Sequence, residues 1–244
     1  MNREKILKAS KIIRDSQYLT AFTGAGISME SGIPPFRGPM GLWSKYDPSL
    51  FDISYFYKHP EKSWRLIRDI FFETFKDAKP NRAHLVLARL EEEGILKTLI
   101  TQNIDNLHFL AGSRQVIEYH GNSRELRCIE CGEKTTATTE ILESLPPRCN
   151  CGGILKPEFI FFGEGIPEEA VRRSEEAVRK TDAMLVIGTT GEVFPAGMIP
   201  EAAYSKGASI IEINPEPSNY TYRITDVFIR EKAARVMGIL YEEL

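Results

Sequence analysis

Four short apolar runs constrain this chain more than any other feature. Residues 18–22, 98–101, 184–187 and 209–213 are of strand length, mainly apolar, and each is stopped by glycine, asparagine or another polar residue, the pattern of strands buried on both faces. Helix-periodic stretches lie between them. Ile6, Ile12 and Ile13 stripe the first, and Ala83, Leu87 and Leu90 stripe a second that ends at Gly94. A third opens Pro167-Glu168-Glu169 and closes near Arg179 and Lys180, with charges as the helix dipole prefers. The last, residues 232–240, carries Ala233, Val236 and Leu240. Strands alternating with helices predict an α/β fold, a mainly parallel sheet covered on both faces with ligands at the carboxyl ends of its strands.

Two stretches break that rhythm. Residues 40–82 are rich in aromatics, among them Trp43, Phe51, Phe56, Trp64, Phe71 and Phe75, and residues 125–157 hold all four cysteines. Both read as insertions that build a smaller lobe, which leaves 1–39, 83–124 and 158–244 for the sheet domain. The 244 residues, 42% hydrophobic and 27% charged, suffice for such a body. A formal charge of −3 with scattered lysine and arginine gives no general attraction to nucleic acid or an anionic membrane. The charged N-terminal stretch and the absence of a long apolar run predict a cytoplasmic protein.

The first run leads into Thr23-Gly24-Ala25-Gly26-Ile27-Ser28, where glycines permit a tight turn and let backbone amides approach a pyrophosphate. Alone, this is equally a structural turn: Met29 stands where the usual fingerprint has a third glycine, and no acidic residue about 20 positions on suits a ribose hydroxyl. The sequence continues Ser31-Gly32-Ile33-Pro34-Pro35-Phe36-Arg37-Gly38. The whole run from Gly24 to Arg37 resembles the signature of sirtuins, with Pro35 a departure from the small or acidic residue common there. The resemblance implies a Rossmann-like parallel sheet with helices on both faces plus a smaller lobe of a helical insertion and a zinc ribbon. It implies cofactor contacts from Gly24, Ala25, Gly26, Ser28 and Met29, with Arg37 on a phosphate and Phe36 against the nicotinamide ring.

Further motifs follow in the family's order. Gln102-Asn103-Ile104-Asp105, with Leu107 and His108 after it, stands at a strand end. Helix capping is the competing reading, but by the resemblance Asp105 recognises the nicotinamide carboxamide, Ile104 closes that pocket, and Gln102 and Asn103 address the ribose and a water. His120 in Tyr119-His120-Gly121 matches the catalytic histidine; an imidazole titrating near neutrality suits a general base. His120, Asn103 and Asp105 form the implied catalytic group, whereas His59, His84 and His108 read as structural.

Cys128-Ile129-Glu130-Cys131, 17 residues, then Cys149-Asn150-Cys151 is close to a zinc ribbon, its second pair shortened to C-x-C. Four thiolates on one structural zinc leave no open position for water. Phe159-Ile160-Phe161-Phe162-Gly163-Glu164 is either a buried core strand or, by the resemblance, the edge on which a substrate peptide adds as a strand, with Phe162 walling the lysine tunnel and Gly163, Glu164 and Val193 lining the peptide's path. Gly188, Thr189 and Thr190 match NAD contacts, Asn214 the adenosine ribose contact, and Lys232 and Ala233 the adenine end. Gly191 and Glu192 replace an apolar pair; beside the peptide cleft, Glu192 is expected to favour basic peptides.

The implied activity is NAD-dependent removal of acyl groups from protein lysine, with release of nicotinamide and transfer of the acyl group to ADP-ribose. Mono-ADP-ribosyl transfer from the same pocket is the alternative. A dehydrogenase lacks its ribose acid here, and a ribbon that binds nucleic acid needs more than Arg127, Lys134 and Arg148 beside acids. Arg68 and Phe71 stand where family members that prefer succinyl or malonyl groups carry Tyr and Arg, so acetyl or longer neutral acyl groups are expected.

Overall fold

A computed structural model describes residues 2–38 and 41–244. The expected boundary between the sheet domain and the helical insertion, at Pro39 and Met40, lies outside the described residues. Six parallel strands, β1 (Leu19–Thr23), β2 (Leu96–Thr101), β3 (Val116–Glu118), β7 (Ala183–Ile187), β8 (Ser209–Asn214) and β9 (Val227–Arg230), form one sheet in the order β3-β2-β1-β7-β8-β9. The strand order reverses at β1, which sets the crevice for a ligand beyond the carboxyl ends of the central strands. In register, Thr23 lies opposite both Thr101 and Ile187, and Ile187 opposite Ile213, so the segments that follow these strands emerge side by side.

Alternation divides the buried strand residues between two faces. Leu19, Ala21, Leu99, Leu185, Ile187, Ile211 and Ile213 pack with the buried stripes of α1 (Arg3–Asp15), α5 (Arg82–Glu92) and α10 (Ala233–Glu242). Phe22, Ile100, Met184, Val186 and Ile210 pack with α8 (Glu168–Lys180) and α9 (Met198–Ser205). Each fully buried leucine or isoleucine in these layers stabilises the fold by about 2 kcal/mol relative to exposure. At the start of α5 the Asn81 side chain accepts from Ala83 N–H, while Asn81 N–H donates to His84 Nδ1 at 3.3 Å. Gly94, at φ +72°, ends that helix in the left-handed conformation glycine tolerates.

The four expected strands and four expected helices are present within a residue or two, while β3, β9 and α9 had no prior sequence assignment. The two strands are short and lie at the sheet's edges. Pro200 sits in the first turn of α9, where its missing N–H is no loss.

Between Ile53 and Phe75 run α2 (Ile53–Lys58), α3 (Pro60–Ile67), a π-helical turn (Arg68–Phe72) and α4 (Glu73–Phe75). The four-residue helices α6 (Leu107–Leu110) and α7 (Thr139–Leu142) follow β2 and the ribbon's first hairpin. The ribbon itself is an antiparallel sheet in the order β5-β4-β6, made of β4 (Glu125–Cys128), β5 (Lys134–Thr136) and β6 (Leu155–Pro157). Phe51, Phe56, Trp64, Ile67 and Phe71 share one core with Leu126, Cys128, Leu155, Phe159 and Phe161. Trp64 Nε1 donates to the Leu155 carbonyl at 2.8 Å, which ties the aromatic insertion to the ribbon. Among the described residues no helix is long and apolar enough to cross a membrane.

Candidate active site

The glycines after β1 are required by the chain's own backbone. A Cβ on Gly24 would stand 2.8 Å from the Gly188 carbonyl oxygen, and one on Gly26 would stand 2.7 Å from Gly188 Cα. Gly188, at φ +65°, would in turn place a Cβ 2.2 Å from Ile27 N. The turns after β1 and β7 therefore interlock, and the helical turn Ala25–Ser31 follows directly, as a phosphate-binding turn requires. Met29 is exposed on this turn, and Glu30 accepts from Ala234 N–H at 2.8 Å, which brings Lys232 and Ala233 at the head of α10 beside it.

The segment after β2 supplies the polar wall. Gln102 Nε2 donates to Thr189 Oγ1 at 3.0 Å across β1. Asn103 Nδ2 donates to the Gly24 carbonyl and to Ser28 Oγ, both at 3.2 Å. Ser28 Oγ donates to Asp105 Oδ2 at 2.6 Å, and Leu107 N–H donates to Asp105 Oδ1 at 3.0 Å. Burial raises the Asp105 carboxyl above its ordinary value, and these bonds oppose the rise. Behind Ser28 lies His84 Nε2, 3.4 Å from Ser28 Oγ; because His84 Nδ1 accepts from Asn81 N–H, Nε2 carries the proton. His84 thus belongs to a chain running through Ser28 to Asp105. Sequence reasoning left it structural; the sign available was its place three residues after the capping Asn81.

His84 and His108 are buried with ring centroids 4.9 Å apart. Burial pushes His84 down to about 4, and burial together with the neighbouring His84 holds His108 well below the usual histidine range. Thr23 Oγ1 donates to Thr101, so His108 Nε2, 3.0 Å from Thr23 Oγ1, is the donor of that pair.

His120 Nδ1 stands 3.2 Å from the Gln102 carbonyl oxygen. A carbonyl only accepts, so Nδ1 bears the proton and Nε2 keeps the lone pair. Burial lowers the His120 pKa, partly countered by this bond, so the ring is neutral and basic at pH 7.

A cleft of about 340 Å³, its open mouth included, is lined by Ala25, Phe36, Asn103, Ile104 and Asp105 together with Ile33, Leu42, Ile70, Phe71 and Phe75. Apart from the amide and the carboxylate its walls are apolar, suited to a flat ring carrying one polar group. Of the apolar contributions from the π-turn and α4, only Phe71 had a site assignment in the sequence, at the acyl-clamp position; Ile70 and Phe75 had none, because an aromatic-rich helix reads as core. Phe71 is both: it is 2% exposed and packs on Phe36 and Phe51.

Arg37 and Glu192, given separate roles in the sequence, meet in the structure. Arg37 Nε lies 3.4 Å from Glu192 Oε2, and Thr190 Oγ1 donates to the same oxygen at 3.2 Å. The carboxylate expected to face the peptide is held by the guanidinium expected to hold phosphate.

No continuous strand forms over residues 158–164. Phe162 instead makes a parallel bridge with Asp52, donating to the Phe51 carbonyl at 3.0 Å and accepting from Ile53 N–H at 2.9 Å. Phe162 is 43% exposed, and its ring centroid lies 6.0 Å from that of Trp43. The Glu164 carboxylate turns inward to Lys156 Nζ at 3.1 Å and Phe161 N–H at 2.8 Å, and Gly163 beside it is at φ +86°. Val193, half-buried, accepts from Gly197 N–H at 2.7 Å. Asn214 Nδ2 donates to the Thr189 carbonyl at 2.9 Å.

The Sγ atoms of Cys128, Cys131, Cys149 and Cys151 all lie within 4.8 Å of one another, with Cys128 and Cys151 3.5 Å apart and Cys131 and Cys149 3.7 Å apart. A tetrahedron with Zn–S bonds of about 2.3 Å has edges of about 3.8 Å. The four thiols therefore fit one zinc ion, C-x-C pair included. Gly153 makes room for this: a Cβ there would be 2.7 Å from Cys128 Sγ. Arg127 and Lys134, two of the ribbon's cations, both pair with Glu158.

A model of the Sir2 family matches residues 24–195. The chain is 44% identical to the NAD-dependent protein deacylase of Aeropyrum pernix, over 97% of this chain and 99% of that protein. It superposes on a Sir2 homolog in complex with NAD with TM-score 0.89 and 43% identity, covering 96% of this chain and 92% of the other. A Sir2 complex with a p53 peptide and NAD+ gives TM-score 0.90 and 36% identity over 100% of this chain and 98% of the other.

Proposed function

The chain belongs to the Sir2 family, and from that premise we propose that it is an NAD-dependent protein lysine deacylase, transferring the acyl group to ADP-ribose as nicotinamide is released. The observation that carries the reading is the meeting, at four adjacent strand ends, of the interlocked glycine turns, the Gln102–Asp105 wall and a histidine with a free Nε2. The solved relative with a p53 peptide and NAD+ supports a peptide as the second substrate.

NAD, consumed as a co-substrate, supplies the reactive glycosidic bond; the residues position it. Gly24, Ala25 and Gly26 admit the pyrophosphate close to the backbone. Asp105, with one oxygen held by Ser28 and the other by Leu107 N–H, keeps lone pairs for a carboxamide NH₂. Asn103, pinned by two bonds, orders the space beneath the ribose. Ile104 and Phe36 exclude water from the nicotinamide pocket. His120 takes a proton from a ribose hydroxyl at Nε2, and the imidazolium that forms is held by Nδ1–H on the Gln102 carbonyl. Phe162, Gly163 and Val193 flank the path of the peptide. The four-cysteine site would hold zinc as a structural ion, since four thiolates complete its coordination.

Phe71 stands buried in the cleft wall where a carboxylate clamp needs a cation, and Arg68 is turned to Asp69. Acetyl and longer neutral acyl groups are therefore the preferred substrates. Acetyl peptides should turn over faster than succinyl ones in parallel assays; the reverse order would remove this assignment.

The deciding experiment incubates the protein with NAD and an acetyl-lysine peptide, with His120→Ala alongside, and follows peptide mass and nicotinamide. Loss of acetyl in step with nicotinamide, absent from the variant, is expected. Nicotinamide release with label left on protein would assign ADP-ribosyl transfer instead.

A further inference from the structure

Glu212, on β8 two residues before Asn214, is fully buried. A buried carboxylate must be surrounded by donors or by a cation, and here the partners are one amide and three hydroxyls. Oε1 accepts from Asn214 Nδ2 at 3.1 Å, Ser218 Oγ at 2.6 Å and Thr221 Oγ1 at 3.0 Å. Oε2 accepts from Thr221 Oγ1 and Thr225 Oγ1, both at 2.9 Å.

Two consequences reach the site. The first concerns Asn214. Its amide nitrogen is committed to Glu212 and to the Thr189 carbonyl, so its orientation is set and Oδ1 is the atom turned to a ligand. The second concerns the loop after β8. Ser218, Thr221 and Thr225 fasten that loop to Glu212, and the same loop carries Asn219 and Tyr220. Asn219 N–H donates to the Thr190 carbonyl at 3.0 Å, and the Tyr220 hydroxyl donates to the Gly197 carbonyl at 2.9 Å. Tyr220 also closes on Gly191, where a Cβ would lie 2.6 Å from the ring.

We propose that Glu212 is a positioning residue for the adenosine half of NAD, presenting Asn214 as a hydrogen-bond acceptor and holding the Thr190–Gly191 turn through the loop it anchors. This rests on the cofactor assignment made above. A hydroxyl of the adenosine ribose is the group Asn214 Oδ1 recognises, so an analogue lacking that hydroxyl measures the positioning directly.

The test is calorimetric titration of the whole protein with NAD and with its 2′- and 3′-deoxyadenosine analogues, without peptide. Glu212→Met, of similar length and without an acceptor, should weaken NAD binding roughly tenfold, the loss of about one well-made hydrogen bond, and should no longer distinguish NAD from the analogue that the wild type binds less well. Glu212→Gln can still turn its oxygen to Asn214 and its amide to the rotatable threonine hydroxyls, and should bind within about threefold of wild type. A merely structural role would weaken NAD and the analogues alike and leave the discrimination intact, which overturns the proposal. If Glu212→Met does not fold, Ser218→Ala combined with Thr225→Val loosens the carboxylate from its loop. That variant must lose affinity and blunt the discrimination; wild-type values in both would also overturn it. Because binding is read without peptide, a protein that binds NAD but deacylates nothing would sink the deacylase reading while these titrations still decide the role of Glu212.

Discussion

Two ionisable residues of the proposed site, His120 and Arg37, sit in simple surroundings, the first governed chiefly by burial and the second by one carboxylate. His120 has its pKa lowered chiefly by burial, so it stays neutral, and able to take a proton, to a lower pH than a free imidazole does. The acid limb of kcat/KM should therefore have its midpoint below 6.5, the ordinary histidine value; a midpoint at or above that value would show a partner other than burial in control. Arg37 is shared with Glu192, and both side chains are more than a third exposed. An exposed pair of this kind is worth about 0.2–1 kcal/mol, and a pyrophosphate bound at Arg37, as the family resemblance implies, would have to compete with it. Glu192→Gln should lower KM for NAD by up to about fivefold with little change in kcat, most clearly at low salt. The same substitution tests the expectation from sequence that Glu192 favours basic peptides, since a carboxylate released from Arg37 by phosphate is free to meet a cationic side chain. Unchanged KM for NAD and unchanged peptide preference would leave the pair without a role.

The elements differ in how much of them the sequence makes legible, and the reason is how each is stabilised. β1, β2, β7 and β8 are buried on both faces, so their composition alone marks them, and the residues that stop them are among the candidate site residues. The edges β3 and β9 are shorter, three and four residues against five or six, too short for a pattern to show. The segment 158–164 reads as a strand because four of its residues are apolar or aromatic, yet Phe159 and Phe161 are spent on the lobe core and only Phe162 forms a β-bridge, while the Glu158 and Ile160 N–H groups donate to the Glu125 and His120 carbonyls. His84 is illegible as a site residue because its link to Asp105 passes through Ser28, 56 positions away. The ribbon was legible from cysteine spacing, but its importance to the cleft was not. Cys128 and Leu155 share a core with Phe71, which lines the cleft. Removing zinc with a strong chelator should therefore melt the ribbon and, through Trp64 and Leu155, raise KM for NAD before the sheet unfolds. Retained deacylation after verified loss of the metal would show that the aromatic lobe holds its shape without it.

At the scale of the whole molecule, buried neutral histidines make stability depend on pH in a window where most surface charges do not titrate. In the unfolded chain a histidine binds a proton near 6.5; in the fold, burial pushes His84 down to about 4 and His108 well below the ordinary value. Between about 6.5 and 4 the unfolded state thus holds more protons than the folded one. Stability is fully present above 6.5 and falls as pH falls, by about 1.4 kcal/mol per pH unit for each such histidine. His84 alone accounts for about 3 kcal/mol by pH 4, a large share of a typical net stability of about 5–15 kcal/mol. Asp105 works in the opposite direction, because its raised carboxyl takes up a proton in the fold before it does so in the unfolded chain. Denaturant midpoints measured from pH 7 to pH 5 should accordingly drop steeply in the wild type. His84→Gln keeps an amide able to donate to Ser28 and cannot be protonated, so it should lower stability at pH 7 while flattening the decline toward pH 5. Parallel declines in the two proteins would mean that His84 is not the group that takes up the proton on unfolding. The Ser28–Asp105 arm of the site would then owe its order to Asn103 and Leu107 rather than to the buried histidine behind it.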